Sequence, residues 1–141
     1  MNKSNLNTKN KTPKSVVEVK DLKVQFQLKD KIVKAVDGIS FNINKGETIA
    51  IVGESGSGKS VTALSLMRLT DYSGGRIVSG EINLQSKSNL NLNLTQLDQE
   101  KMRDIRGNDI SMIFQEPMTS LNPVFTIGMQ ITETIIKHQG K

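Results

Sequence analysis

The stretch Gly53-Glu54-Ser55-Gly56-Ser57-Gly58-Lys59-Ser60 constrains this chain more than any other. Its spacing is G-x-x-x-x-G-K-[ST], and the physical chemistry of polyphosphate explains each part. A chain of dense negative charge is bound by consecutive backbone N–H groups that point inward from a tight turn, without bulky side chains. Glycines let the main chain come close and take positive φ. A helix directly after the loop presents its positive N-terminal end to the anion. In such a loop Lys59 reaches the β- and γ-phosphates and the Ser60 hydroxyl is a ligand for Mg²⁺. With Gly at about 7% of residues, a chance match in a chain of this length occurs on the order of once in a few hundred sequences. The surroundings agree. Thr48 to Val52 is apolar on both faces, as a buried parallel strand requires, and an amphipathic stretch from Ser60 to about Leu69 reads as the helix. Strand, loop and helix in that order is the unit of α/β folds.

Two other nucleotide-site patterns fit poorly. A dinucleotide fingerprint needs G-x-G-x-x-G, and here the glycines at 53, 56 and 58 fall in the wrong order. A guanine reader of the form Asn-Lys-x-Asp is not met by Asn44-Lys45, which is followed by Gly46 and Glu47 and lies on the wrong side of the loop.

Ahead of the loop the pattern has period two. Val16, Val17 and Val19, then Leu22, Val24, Phe26 and Leu28, alternate with polar residues and predict a half-buried strand. Ile32 to Val36 predicts a second strand, and Ile39, Phe41 and Ile43 a third that ends at Lys45-Gly46. Close turns between short strands imply an antiparallel front sheet. Beyond the loop, Asp71 to Gly75 reads as a connection, with strand-like residues at Ile77 and at Glu81 to Leu84. Asn89 to Leu94 fits either a strand with Leu90, Leu92 and Leu94 on one face or a biased surface loop. Thr95 with Asp98 is a helix-start signal, and that helix is expected to reach Arg106 and stop at Gly107. Ile110 to Phe114 predicts a second buried strand. Thr126 is placed to cap a last helix with Ile127, Ile131 and Ile135 on one face.

Composition narrows the class. The 141 residues include no cysteine, which excludes disulfides, thiolate metal sites and a cysteine nucleophile. The net charge of +5 is concentrated in Lys3, Lys9, Lys11 and Lys14, so the rest of the chain is nearly neutral. Residues 1–14 show no apolar periodicity and read as a flexible basic tail. Residues 15–141 form the expected domain. The aliphatic runs are about four residues long, whereas a spanning helix needs about twenty.

Several further segments resemble the nucleotide-binding domains of ABC transporters. Val52 to Leu64 is similar to the dipeptide, oligopeptide, nickel and glutathione importer group. So is Phe114-Gln115-Glu116-Pro117-Met118-Thr119-Ser120-Leu121-Asn122-Pro123, and the run Met112 to Thr126 looks most like the glutathione branch. The resemblance covers about residues 16–138. It implies an α/β P-loop NTPase fold: an antiparallel β subdomain plus part of a RecA-like parallel core. It also implies that Phe26 stacks on adenine and that Gln115 contacts Mg²⁺ and the attacking water. The nucleotide-binding set is then Phe26, Gly53, Glu54, Ser55, Gly56, Ser57, Gly58, Lys59, Ser60 and Val61, with Ser60 and Gln115 toward Mg²⁺ and ATP as the cofactor. The implied partners are transmembrane permease subunits, a second nucleotide-binding domain and, indirectly, an extracytoplasmic solute-binding protein, with no nucleic acid. The implied location is the cytoplasmic face of a bacterial membrane.

The chain departs from the group in one respect. The group's Leu-Ser-Gly-Gly-Gln signature, its Walker B carboxylates and its switch histidine are expected after the Gln115 segment, and the 141 residues do not contain them. His138 has neither the position nor the neighbours of the switch residue and reads as a surface helix residue. The expectation from sequence is therefore a domain truncated after the glutamine loop. Its family function is ATP-driven import. The alternative is a noncatalytic fragment that binds nucleotide or a partner without turnover.

Overall fold

Period-two patterning is satisfied when a strand finds a neighbour to share its hydrogen bonds, and the strand at the front of the chain finds two. A computed structural model describes residues 15–116 and 120–140. Strand β1 (Ser15–Gln27) pairs antiparallel with β2 (Ile32–Asn44) and with β3 (Gly75–Gln85), and β3 pairs with the short β4 (Asn91–Asn93). The order across the sheet is β2-β1-β3-β4. The two strands expected at 32–36 and 39–43 are one continuous β2, and those expected at 77 and 81–84 are one β3. Asn89 to Leu94 resolves as a three-residue strand followed by a short 3₁₀ turn, Leu94–Gln96, whose Leu94 is buried.

The apolar phase of β1 changes partway along. Val19 is buried, and so are Leu22 and Val24, although Val19 and Leu22 are three residues apart. A strict pleat would put them on opposite faces. The pairing with β2 and with β3 is irregular across this step, where Asp21 takes a positive φ of 43°. This bulge restores the inward phase. Gly80 faces the same spot: a Cβ there would sit 2.5 Å from the carbonyl oxygens of Lys20 and Asp21. No side chain fits at that position.

The buried face of the sheet is covered by a segment from later in the chain. Val19, Leu22, Val24, Val36, Ile82 and Leu84 meet Leu94, Met102 and Ile105 in one cluster. Met102 and Ile105 come from α2 (Gln99–Ile105), whose start is capped by Asp98: its carboxylate accepts from Lys101 N–H at 2.8 Å. That backbone bond holds the Asp98 carboxyl below its ordinary pKa. Thr95, the other residue of the predicted start signal, lies in the 3₁₀ turn, so the helix begins one turn later than its first signal. Helix α1 (Lys59–Leu66) contributes Val61 and Leu66 to the edge of the cluster, and a 3₁₀ turn at Leu69–Ser73 occupies what was expected as a plain connection. Helix α3 (Ile127–Gln139) is capped as expected, with Thr126 Oγ1 accepting from Met129 N–H at 3.2 Å. Ile127, Ile131 and Ile135 are all exposed.

Two expectations are corrected. Neither Thr48–Val52 nor Ile110–Phe114 forms a strand, and neither is buried. Residues 47–54 have no regular structure, and Ile110 makes one isolated parallel bridge, to Arg106. Val52 is 87% exposed and Ile113 92%. Apolar sequence gives a strand only where another strand accepts its hydrogen bonds, and among the described residues no strand lies beside either segment. The basic segment 1–14 lies outside the described residues, as do Pro117, Met118 and Thr119.

Candidate functional site: a phosphate loop at the start of α1

The loop between residue 53 and α1 folds as its composition demands. Ser57 N–H donates to Glu54 O at 3.2 Å, closing a tight turn. Gly56 and Gly58 both take positive φ, at 81° and 91°. Gly58 is the N-cap of α1, and a Cβ there would lie 2.3 Å from Ala35 O. The end of the loop is therefore pressed against the backbone of β2, and only glycine fits both the conformation and the space. The sequence pattern identifies Gly58; the surface it rests on, Ala35 and Val36, carries no sequence signal of its own.

The Lys59 side chain folds back over the loop. Its Nζ donates to Gly53 O at 2.8 Å, to Glu54 O at 2.6 Å and to Ser57 Oγ at 3.4 Å. The whole turn is thus gathered around one ammonium group. The first turn of α1 has no side-chain cap and no acidic residue. Its free N–H groups and the positive end of the helix dipole face outward from the fold. Thr62 Oγ1 donates to Gly58 O at 2.9 Å, and Ser65 Oγ to Val61 O at 2.7 Å, so these buried hydroxyls are satisfied within the helix. Ser60 is exposed beside Lys59. A glycine-rich turn, a cation on a flexible stem and an uncapped helix start, with no carboxylate in the first helical turn, suit a polyphosphate.

The other predicted residues lie elsewhere. Phe26 is near the end of β1, half-buried, and its ring packs on Gly75: a Cβ built there would come within 2.8 Å of the ring. Gln115 lies in an exposed bend, and among the described residues no hydrogen bond joins it to the loop. His138 is half-buried, with its ring over Gly107, where a Cβ would be 2.8 Å from Nε2. It rests against the turn after α2, a more enclosed place than sequence suggested.

The fold and the loop together define a P-loop nucleotide-binding domain of the ABC type. Residues 36–139 match the ABC transporter family, and the chain belongs to it. It is 54% identical over 126 residues to the oligopeptide transport ATP-binding protein AppD of Bacillus subtilis (strain 168), covering 89% of this chain and 37% of that protein. It is 51% identical over 127 residues to the glutathione import ATP-binding protein GsiA of Salmonella typhimurium (strain LT2), covering 90% of this chain and 20% of that one. The chain thus spans well under half the length of these relatives. The dimeric structure of a bacterial ABC transporter cassette superposes with a TM-score of 0.71 over 86% of this chain and 47% of that one, at 24% identity. The fold is that of the ABC cassette. Among the described residues no helix is long and apolar enough to cross a membrane.

Proposed function

We propose that this chain is the front portion of the ATP-binding component of an importer for peptides or related small solutes, with Mg·ATP as its ligand. One observation carries the reading: Lys59 spans the carbonyls of a glycine-rich turn at the uncapped start of α1. The backbone N–H groups of 53–60 take the phosphate oxygens, and Lys59 Nζ exchanges its carbonyl partners for the β- and γ-phosphates. The Ser60 hydroxyl and Gln115 contribute to holding Mg²⁺, and Phe26 offers a ring face to the base. Glu54, Ser55, Ser57 and Val61 complete the wall. Bound nucleotide supplies the charge that the loop is built to neutralise, and its hydrolysis is the energy source for transport. The relatives' roles in oligopeptide transport and glutathione import support the choice of cargo. Permease subunits at the cytoplasmic face of the membrane, a second nucleotide-binding domain and, at one remove, a solute-binding protein are the proposed partners.

The test is a calorimetric titration of the chain with Mg·ATP, native against Lys59→Ala. A hydrogen bond to a charged group contributes about 1.5–3 kcal/mol, so the variant is expected to bind about 10–150-fold more weakly. Equal affinity in the two proteins would remove the basis of the proposal.

A further inference from the structure

An α-helix leaves its last carbonyls without intrahelical partners, and α1 carries no basic residue in its last turn. The two carbonyls just beyond that turn are claimed by one side chain from far along the sequence. Arg106 Nε donates to Met67 O at 2.8 Å, and Nη2 donates to Arg68 O at 3.3 Å. The third arm, Nη1, donates to the Tyr72 hydroxyl at 3.1 Å, and the guanidinium lies 5.4 Å from the centre of the Tyr72 ring. Arg106 is itself the C-cap residue of α2.

The surrounding groups lock this arrangement. Tyr72 Oη donates to Gln99 Oε1 at 3.1 Å. Asp71 Oδ2 accepts from Gln99 Nε2 at 3.0 Å and from Arg68 Nε and Nη2 at 3.0 and 2.8 Å. Arg68 Nη1 also donates to the carbonyls of Leu94 and Leu97. Two arginines therefore fasten the segment 67–72 to the segment 94–106: Arg68 through the carbonyls of Leu94 and Leu97, and Arg106 through the carbonyls just past the end of α1.

We infer that Arg106 is a positioning residue for the phosphate loop, acting through the helix. A helix as short as α1 gains little from its own propensity, so its order depends on how its ends are held. Glycine packing against Ala35 holds the front, and Arg106 holds the back. A cation at the C-terminal end complements the negative end of the helix dipole. The same short, rigid helix sets where Lys59 and the first free N–H groups point. This inference rests on the phosphate-binding reading above for its functional half, and on the clamp geometry for its structural half.

The experiment reads the two halves separately in the full chain, at a temperature where circular dichroism shows it folded. Amide hydrogen exchange is followed at Thr62 and Met67 of the α1 region and at Ile82 of β3. Arg106→Gln is expected to speed exchange at Thr62 and Met67 by about fivefold or more while Ile82 stays unchanged, and Arg106→Lys, which keeps charge but loses the fork, to produce a smaller rise. Mg·ATP should then bind about fivefold more weakly to Arg106→Gln, with adenosine, which has no phosphate, unaffected. Tyr72→Phe, which removes a single hydroxyl, gives the same pattern at lower amplitude and serves if Arg106→Gln does not fold. Exchange at Thr62 and Met67 that is unchanged, or that rises in step with Ile82, overturns the clamp. Faster α1 exchange with no loss of ATP affinity overturns its functional role. A native chain that binds no Mg·ATP refutes the proposed function, while the exchange data still decide the clamp.

Discussion

The front sheet and the two apolar segments at 48–52 and 110–114 both carry strand-like residues and are opposite in outcome. In the sheet, β1 pairs antiparallel with β2 across a short turn and with β3 from the far side of α1, and the inward residues are sealed by Leu94, Met102 and Ile105. In the two segments, Ile51, Val52, Ile113 and Phe114 stand exposed on irregular backbone. Hydrophobicity alone does not separate the groups. What separates them is whether a partner strand is present. Every strand of the sheet has a neighbour that takes up its hydrogen bonds, whereas among the described residues no strand lies beside either segment. The site sits at the border: its Gly58 rests on β2, and its apolar lead-in belongs to the unpaired group.

The largest effect that would sharpen this contrast is a cavity under the sheet. Leu22 is fully buried at the bulge and belongs to the cluster that joins the sheet to Leu94 and α2. Leu22→Ala is expected to cost about 2–5 kcal/mol, the range for truncating a buried leucine, measured by urea denaturation. A loss under about 1 kcal/mol would show that the sheet is not the stable unit of the molecule.

Much of this was legible in the sequence, for local reasons. The phosphate loop, the cap at Thr126 and the alternation of β1 all depend on residues a few positions apart. The merger of two expected strands into β2 was not legible, because the phase change near Gly38 looks like a break until β1 supplies a matching irregularity. The predicted strands at 48–52 and 110–114 failed because their signal reports burial, and burial depends on neighbours that local sequence does not name. The partnership of Arg106 with Met67, Arg68 and Tyr72 carried no signal either, since nothing in the spacing links residue 106 to 67–72.

A second, smaller effect tests whether a sheet residue serves the loop. Phe26 packs on Gly75 at the rim of the core, so Phe26→Ala has two separable consequences. Base–aromatic stacking contributes about 1–3 kcal/mol, and Mg·ATP affinity is expected to fall by that amount. A ring face does not read hydrogen-bond patterns, so GTP should follow ATP closely. If calorimetry shows unchanged affinity while the melting temperature drops, Phe26 belongs to the sheet and not to the site.

The smallest expected effect comes from making one substitution in both regions. Val and Thr have nearly the same shape and similar strand propensity, so the exchange isolates the cost of placing a hydroxyl. Val24 is fully buried on the inward face of β1, where a hydroxyl without a partner costs about 1–3 kcal/mol. Val52, directly before the phosphate loop, is open to solvent on backbone that pairs with nothing among the described residues. There Val52→Thr is expected to change stability by no more than about 0.5 kcal/mol. It removes a little exposed apolar surface and leaves Gly53 O, one of the Lys59 partners, in place. Urea denaturation of the two single variants gives both numbers on one scale. Similar losses at both positions would mean that residues 48–52 are buried in a strand in solution, and the division between a self-sufficient sheet and an unpaired lead-in to the loop would fall.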